Sequence, residues 1–140
     1  MKTAVERLAT VIGYPETVPA GALTFSFAVD GAEIAARESG GRLRLERVLW
    51  QATEGDEASE RILPELAGYA AGRILREEAV LAWDPEREAA FLWQDIPASR
   101  PTETLLRFFE VFTASCDWWA ERVSELLTPE PVFPEMVIRP

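Results

Sequence analysis

Apolar and polar positions alternate most regularly between residues 23 and 46, and this alternation predicts three short strands. In the first, over Leu23–Val29, apolar side chains occupy every second position and small or polar ones lie between them. Asp30-Gly31 then supplies the positive-φ pair that a two-residue hairpin turn requires. A second strand over Ala32–Glu38 and a third over residues 42–46, with Leu43 and Leu45 on its apolar face, complete a three-stranded antiparallel meander. The alternation slips at residues 47–49, which indicates a bulge or a strand end.

Helical spacing of apolar residues predicts three helices around this meander. The first covers residues 3–12 and ends before Gly13, a residue suited to a left-handed C-terminal cap. The second is expected to begin close to residue 63, because Pro64 is tolerated in a first turn and disruptive in a helix interior. The third and longest covers residues 101–127 and presents one apolar stripe.

A second hairpin between the last two helices is apolar on both faces. Asp84 and Pro85 favour a type I turn, and with residues 85–86 as the loop Trp83 would face Glu88. A hairpin that is apolar on both sides needs covering twice. The complete order of elements predicts an α+β fold, α-βββ-α-ββ-α, in which a small antiparallel sheet packs with helices.

Length, cysteine content and charge limit the class of protein. The 140 residues fit a single domain over residues 1–128, followed by a proline-rich C-terminal tail over 129–140. The one cysteine, Cys116, cannot form an internal disulfide, which suits a reducing compartment. No signal-peptide pattern and no bilayer-spanning apolar run occur, so we expect a cytoplasmic protein with no membrane partner. The net charge of −10 argues against nucleic acid and anionic membranes as partners, since both need a basic surface.

The composition also removes most catalytic chemistry. Histidine is absent, so a His-activated nucleophile or a His-rich metal site cannot be built, and no Gly-rich phosphate loop occurs. Paired carboxylates are the one acid–base set left open, and the candidates are Glu54, Asp56, Glu57, Glu60, Glu77 and Glu78. Charge runs of this kind are usually solvated surfaces. We therefore expect no enzyme activity and no cofactor, with a carboxylate-dependent hydrolase as the alternative.

Two features suggest association with another chain. One side of the second helix is nearly bare, since it carries Ala67, Gly68, Ala71 and Gly72. Glycine in a helix interior costs about 1 kcal/mol relative to alanine, so two of them need a packing reason. That reason is either tight packing onto the protein's own sheet or a two-fold helix contact between subunits. Five tryptophans also exceed what one small core readily buries, and tryptophan is a common interface anchor.

Patterns at both ends of the chain resemble the class I type III secretion chaperones, the Tir-chaperone-like family. The stretch Leu8–Pro15, Leu-Ala-Thr-Val-Ile-Gly-Tyr-Pro, is similar to that family's first helix and the Leu…Gly-x-Pro stretch that ends it. The last helix, with Leu105-Leu106 followed by residues 114–119 and Leu126, is similar to its final helix. The resemblance covers about residues 4–127, and the order of elements, the size and the acidity agree with it.

The resemblance implies a non-enzymatic homodimer that binds the N-terminal chaperone-binding segment of a secreted effector in extended form. The chaperone would keep that segment soluble and secretion-competent. An effector-binding groove between the first helix and the sheet, partly made of ordinary core residues, would involve Val5, Leu8, Ile12, Phe25, Phe27, Ile34, Leu43 and Leu45. A dimer seam along the second helix and neighbouring strands would involve Pro64, Ala67, Gly68, Ala71, Gly72, Val80, Phe91 and Trp93. An adaptor of the same fold that serves a partner outside secretion is the alternative binding function.

Overall fold

The computed structural model describes residues 2–52, 58–73 and 76–127, with the main chain alone at 58–60. Three helices and five strands follow one another in the predicted order. They are α1 (Ala4–Ile12), β1 (Thr24–Val29), β2 (Ala32–Ser39), β3 (Arg42–Gln51), α2 (Ala58–Arg73), β4 (Val80–Asp84), β5 (Ala89–Pro97) and α3 (Thr102–Leu127). The predicted tail over residues 129–140 lies outside the described residues.

The five strands form one antiparallel sheet in the order β1-β2-β3-β5-β4, so β1 and β4 are its edges. Asp30 and Gly31 join β1 to β2 with φ angles of 50° and 80°, which confirms the predicted two-residue turn. The irregularity predicted in β3 is a bulge, since its pairing with β5 shifts between Val48 and Trp50. The strand continues beyond the bulge to Gln51.

The β4–β5 hairpin is apolar on both faces, as predicted, but its register is displaced by two residues from the predicted one. Trp83 pairs with Ala90, so the predicted pairing of Trp83 with Glu88 is wrong and the loop contains residues 85–88. The Asp84 carboxylate accepts a main-chain N–H within this loop at 3.0 Å, and Glu88 adopts a φ of 50°. The sequence around Glu88 does not indicate a left-handed conformation. With Glu88 in the loop, the loop is longer than the predicted residues 85–86. A two-residue displacement leaves every side chain on its predicted face.

α2 begins at Ala58, and the predicted start close to residue 63 is therefore wrong. Pro64 lies inside the helix, where it removes one main-chain hydrogen bond at a cost of about 3 kcal/mol. Ile62 and Leu66, on either side of the proline, are fully buried. Only Ile62 precedes the proline, and its burial contributes about 1.5–3 kcal/mol, which is comparable to the cost of the proline. Tertiary packing thus extends the helix through a residue that would end it locally.

The core lies between one face of the sheet, called the inner face, and the three helices. Alternate residues of the strands point into it, and α3 adds the predicted apolar stripe, whose buried members are Leu105, Phe109, Phe112, Cys116, Trp119 and Val123. On the opposite, outer face of the sheet, side chains such as those of Ser26, Arg37, Arg44 and Trp93 are exposed or partly exposed. Among the described helices, none is long and apolar enough to span a membrane.

Polar contacts join α1 to parts of the chain that are distant in sequence. The Ala4 N–H donates to the Glu38 carboxylate at 2.8 Å, which ties the start of α1 to β2. The Arg7 guanidinium donates to the main-chain carbonyls of Ala98 and Arg100, between β5 and α3. α1 is therefore held by β2 and by the segment that leads into α3.

Candidate functional site

The residues predicted to form the effector-binding groove divide into a buried set and a partly exposed set. Six of the eight are at most 1% exposed, namely Val5, Leu8, Phe27, Ile34, Leu43 and Leu45. These six belong to the core because α1 and α3 cover the inner face. The alternation of apolar residues along a strand identifies this face but does not show that helices cover it. Ile12 and Phe25 are partly exposed and are the two members of the predicted set that remain accessible from solvent.

A depression lies beside the free edge of β1, where α1 ends. Its cavity volume is about 440 Å³, and its lining includes Ile12, Tyr14, Glu16, Val29, Asp30 and Phe109. Apolar side chains therefore come from α1, β1 and α3, while Glu16 and Asp30 add two carboxylates. We call this depression the β1 edge cleft.

The main chain of β1 offers hydrogen-bonding groups beside this cleft. The two residues that flank the two-residue turn form a hydrogen-bonded pair, and along an antiparallel strand such pairs alternate with pairs that are not hydrogen-bonded. Thr24, Ser26 and Ala28 belong to the second kind, so their main-chain groups point away from β2. Unpaired groups on a sheet edge are a template for another strand. Within the described residues, the outward N–H groups of Thr24 and Ser26 have no partner, whereas the N–H of Ala28 donates to the Tyr14 hydroxyl at 3.1 Å.

Tyr14 reaches this edge because of the way α1 ends. Gly13 adopts the left-handed conformation with a φ of 70°, and the N–H of Tyr14 donates to the carbonyl of Ala9 at 3.0 Å, as in a Schellman motif. The Tyr14 ring then packs edge-to-face on Phe25 and Phe27, with centroids 5.5 and 5.0 Å away. Sequence reasoning missed Tyr14, although its place directly after a capping glycine was visible.

The α2 part of the predicted dimer seam is an exposed surface. Its five residues, Pro64, Ala67, Gly68, Ala71 and Gly72, are all exposed. A Cβ atom added to Gly68 or Gly72 would have no described atom within 4 Å beyond the helix itself. Neither glycine is therefore needed for packing within the described part of the chain. The alternative that this side of α2 packs tightly on the protein's own sheet is wrong.

The other part of the predicted seam lies on the outer face of the sheet. Phe91 and Trp93 on β5 are partly exposed there, and Val80 on β4 is 43% exposed. The Arg44 guanidinium lies 4.2 Å from the Trp93 ring centroid and binds the Asp95 carboxylate through two hydrogen bonds of 2.7 and 3.0 Å. These bonds to Arg44 hold the pKa of Asp95 below its ordinary value. These residues form an apolar patch that is bordered by the Arg44–Asp95 ion pair.

The carboxylates of the hydrolase alternative do not form a described acid–base pair. Four of the candidate side chains lie outside the described ones, namely those of Glu54, Asp56, Glu57 and Glu60. The Glu77 carboxylate accepts from Trp119 Nε1 at 2.8 Å and pairs with Arg73, and its side chain is only 6% exposed. Glu78 accepts from Gln94 Nε2 at 3.1 Å. Residues 2–52, 58–73 and 76–127 contain no cluster of three or more potential metal-ligating side chains.

Comparison with solved structures confirms the predicted fold, although no family model and no curated protein matches the chain. A chain of the HopA1–SchA chaperone–effector complex aligns at 19% identity with a TM-score of 0.61, over 84% of this chain and 91% of that one. A chain of the ExsC–ExsE complex aligns at 19% identity with a TM-score of 0.63, over 94% and 99%. A chain of the ExoT–SpcS complex from Pseudomonas aeruginosa aligns at 15% identity with a TM-score of 0.57, over 82% and 92%. The likeness therefore extends over most of each chain.

Proposed function

Because the chain has the fold of the class I type III secretion chaperones, we propose that it is a non-enzymatic chaperone for a secreted effector. It binds the N-terminal chaperone-binding segment of that effector in extended form and keeps it soluble and secretion-competent in the cytoplasm. The observation that carries the proposal is the structural alignment with a chain of a chaperone–effector complex over 84% of this chain. The free edge of β1 supports it, because an extended segment needs such a partner.

The client segment adds a strand to β1 at Thr24 and Ser26, and client residues beyond the end of this strand place their side chains in the β1 edge cleft. Main-chain hydrogen bonds to Thr24 and Ser26 hold any sequence in extended form, at about 0.5–1.5 kcal/mol net for each bond. Alternate side chains of the added strand lie on the inner side, next to Ile12 and Phe25, and select apolar residues. This division of roles suits a chaperone, because the client stays unfolded while its apolar groups are covered.

The protein acts as a homodimer joined along the dimer seam. The exposed small residues of α2 let the main chains of two helices approach closely. This contact would explain Gly68 and Gly72, which no packing within the described part of the chain requires. Val80, Phe91 and Trp93 add apolar surface from the neighbouring strands. An isologous contact uses the same patch on both protomers, and a bare helix surface can pack against its own copy.

Co-expression with candidate effectors, followed by pull-down of the tagged chain, tests the function. A Ser26→Pro variant removes one outward N–H from β1 and leaves the hydrogen bonds to β2 in place, since the Ser26 main chain points away from β2. We expect an effector to copurify with the parent protein and with the matched Ser26→Ala control, and to be lost with Ser26→Pro. Failure of every candidate effector to copurify would refute the chaperone proposal. Equal capture by all three proteins would refute binding through the β1 edge.

A further inference from the structure

We propose that the Tyr14 hydroxyl fixes how far a client strand can pair along β1. The inference rests on the proposed function, because it concerns the strand that a client adds to this edge. Ala28 carries the third outward N–H of β1, and Tyr14 already accepts its hydrogen bond at 3.1 Å. A client strand therefore pairs with Thr24 and Ser26 and ends before Ala28, which makes Tyr14 a positioning residue.

The Tyr14 hydroxyl is fixed more firmly than a surface hydroxyl would be. Its ring contacts Phe25 and Phe27 edge-to-face, and Phe27 is fully buried. Its main chain is set by the left-handed Gly13 at the end of α1. Freeing the N–H of Ala28 requires separating the ring from both phenylalanines or unwinding the helix end. A longer client strand would regain a single hydrogen bond, which stabilises less than the ring packing that this movement disrupts.

The other end of the open edge is closed by the same helix. The Thr3 hydroxyl, at the start of α1, donates to the main-chain carbonyl of Ala22 at 2.7 Å. Thr3 and Tyr14 thus engage the main chain of the β1 edge on either side of residues 23–27. Strands pair residue against residue, so the open interval has room for a client strand of about five residues. Short, blocked edges are also how proteins avoid pairing with copies of themselves.

Amide hydrogen exchange in a Tyr14→Phe variant tests the closed end without any effector. The variant keeps the ring and removes the hydroxyl that accepts from Ala28. We expect the Ala28 amide to exchange roughly fivefold to tenfold more slowly than that of Ser26 in the parent protein, and equally fast in the variant. Tyr69→Phe is the matched control, because the Tyr69 ring packs on tryptophans of α3.

A synthetic peptide that copies residues 23–29, with two lysines at each end for solubility, serves as the added strand. In the parent protein we expect the peptide to slow exchange at Thr24 and Ser26 and to leave Ala28 unchanged. In Tyr14→Phe we expect protection to extend to Ala28, and in Tyr69→Phe to match the parent.

Three results would overturn the proposal. The peptide could protect Ala28 in the parent protein as strongly as it does in Tyr14→Phe, which would mean that the client displaces the hydroxyl. Tyr14→Phe could leave exchange at Ala28 unchanged, or the peptide could protect none of the three amides. Failure of the proposed function is distinguishable from these results. A chain that captures no effector and still shows the expected exchange pattern would refute the chaperone function alone.

Discussion

Alanine at both Gly68 and Gly72 tests the dimer seam through the sign of the stability change. In an isolated protomer, the added Cβ atoms meet no described atom within 4 Å beyond the helix itself, so the substitutions relieve the glycine penalty without a clash. Each contributes about 1 kcal/mol, and together they raise the free energy of unfolding by about 2 kcal/mol. For a chain of this length that corresponds to a rise in Tm of about 6–10 °C.

In a dimer joined along α2 the same substitutions have the opposite effect. Four methyl groups, two from each protomer, enter a contact in which the helix main chains approach closely. Overpacking of this kind costs about 1–3 kcal/mol at each site, which equals or exceeds the gain of about 1 kcal/mol in helix propensity. We therefore expect the double variant to dissociate at concentrations where the parent protein is dimeric.

Sedimentation equilibrium and urea unfolding at two protein concentrations, tenfold apart, measure both quantities. A dimer gains about 1.4 kcal/mol of apparent stability from a tenfold increase in concentration, and a monomer gains none. We expect this dependence in the parent protein and its loss in the variant. Glu110→Ala, at an exposed position of α3, is a control for alanine substitution in a helix. A double variant that unfolds at higher urea and keeps the mass of the parent would refute the seam.

Three further predictions concern α1, the outer face and the core. Gly13→Ala places a side chain at a φ of 70°, and we expect a loss of about 1–2 kcal/mol in thermal unfolding; an unchanged Tm would contradict the left-handed cap. Arg44 lowers the folded-state pKa of Asp95, so the ion pair stabilises the folded protein above about pH 4, and this stabilisation is lost as the pH falls through the lowered pKa. We expect the free energy of unfolding in urea to be lower for Asp95→Asn than for the parent at pH 7. The two values should converge in acid. Burial raises the pKa of the Cys116 thiol to about 12, so Ellman's reagent at pH 8 should react on the order of 10³-fold faster in urea than with the native protein, and equal rates would refute its burial.

The elements that were predictable from the sequence depend on short-range geometry. Asp30 and Gly31 both need positive φ, and both have it, so the first hairpin follows from two adjacent residues. The start of α2 could not be predicted in this way. The helix continues through Pro64 because its side chains are buried against elements that are distant in sequence. The second hairpin has its predicted faces and a different register, since Glu88 adopts a conformation that its sequence context does not indicate.

The candidate site was predictable only as far as the sheet faces. Alternation correctly separates the two faces of β1, and it does not show that α1 and α3 bury Phe27 and leave Phe25 partly exposed. Tyr14 belongs to no strand or helix. Its role depends on two facts: it follows the cap of α1 in the sequence, and its ring packs on β1. A residue of this kind becomes visible only when the helix end and the sheet edge are placed together.

The contacts of Arg7 have a consequence for how the protein is made. The carbonyls that this side chain binds belong to Ala98 and Arg100, which are synthesised more than ninety residues after it. Phe109, which lines the β1 edge cleft, is synthesised later still. Contacts between such distant residues form late in folding, because the intervening chain must first be ordered. The β1 edge cleft is therefore completed only after the start of α3, including Phe109, has been synthesised and has packed beside β1.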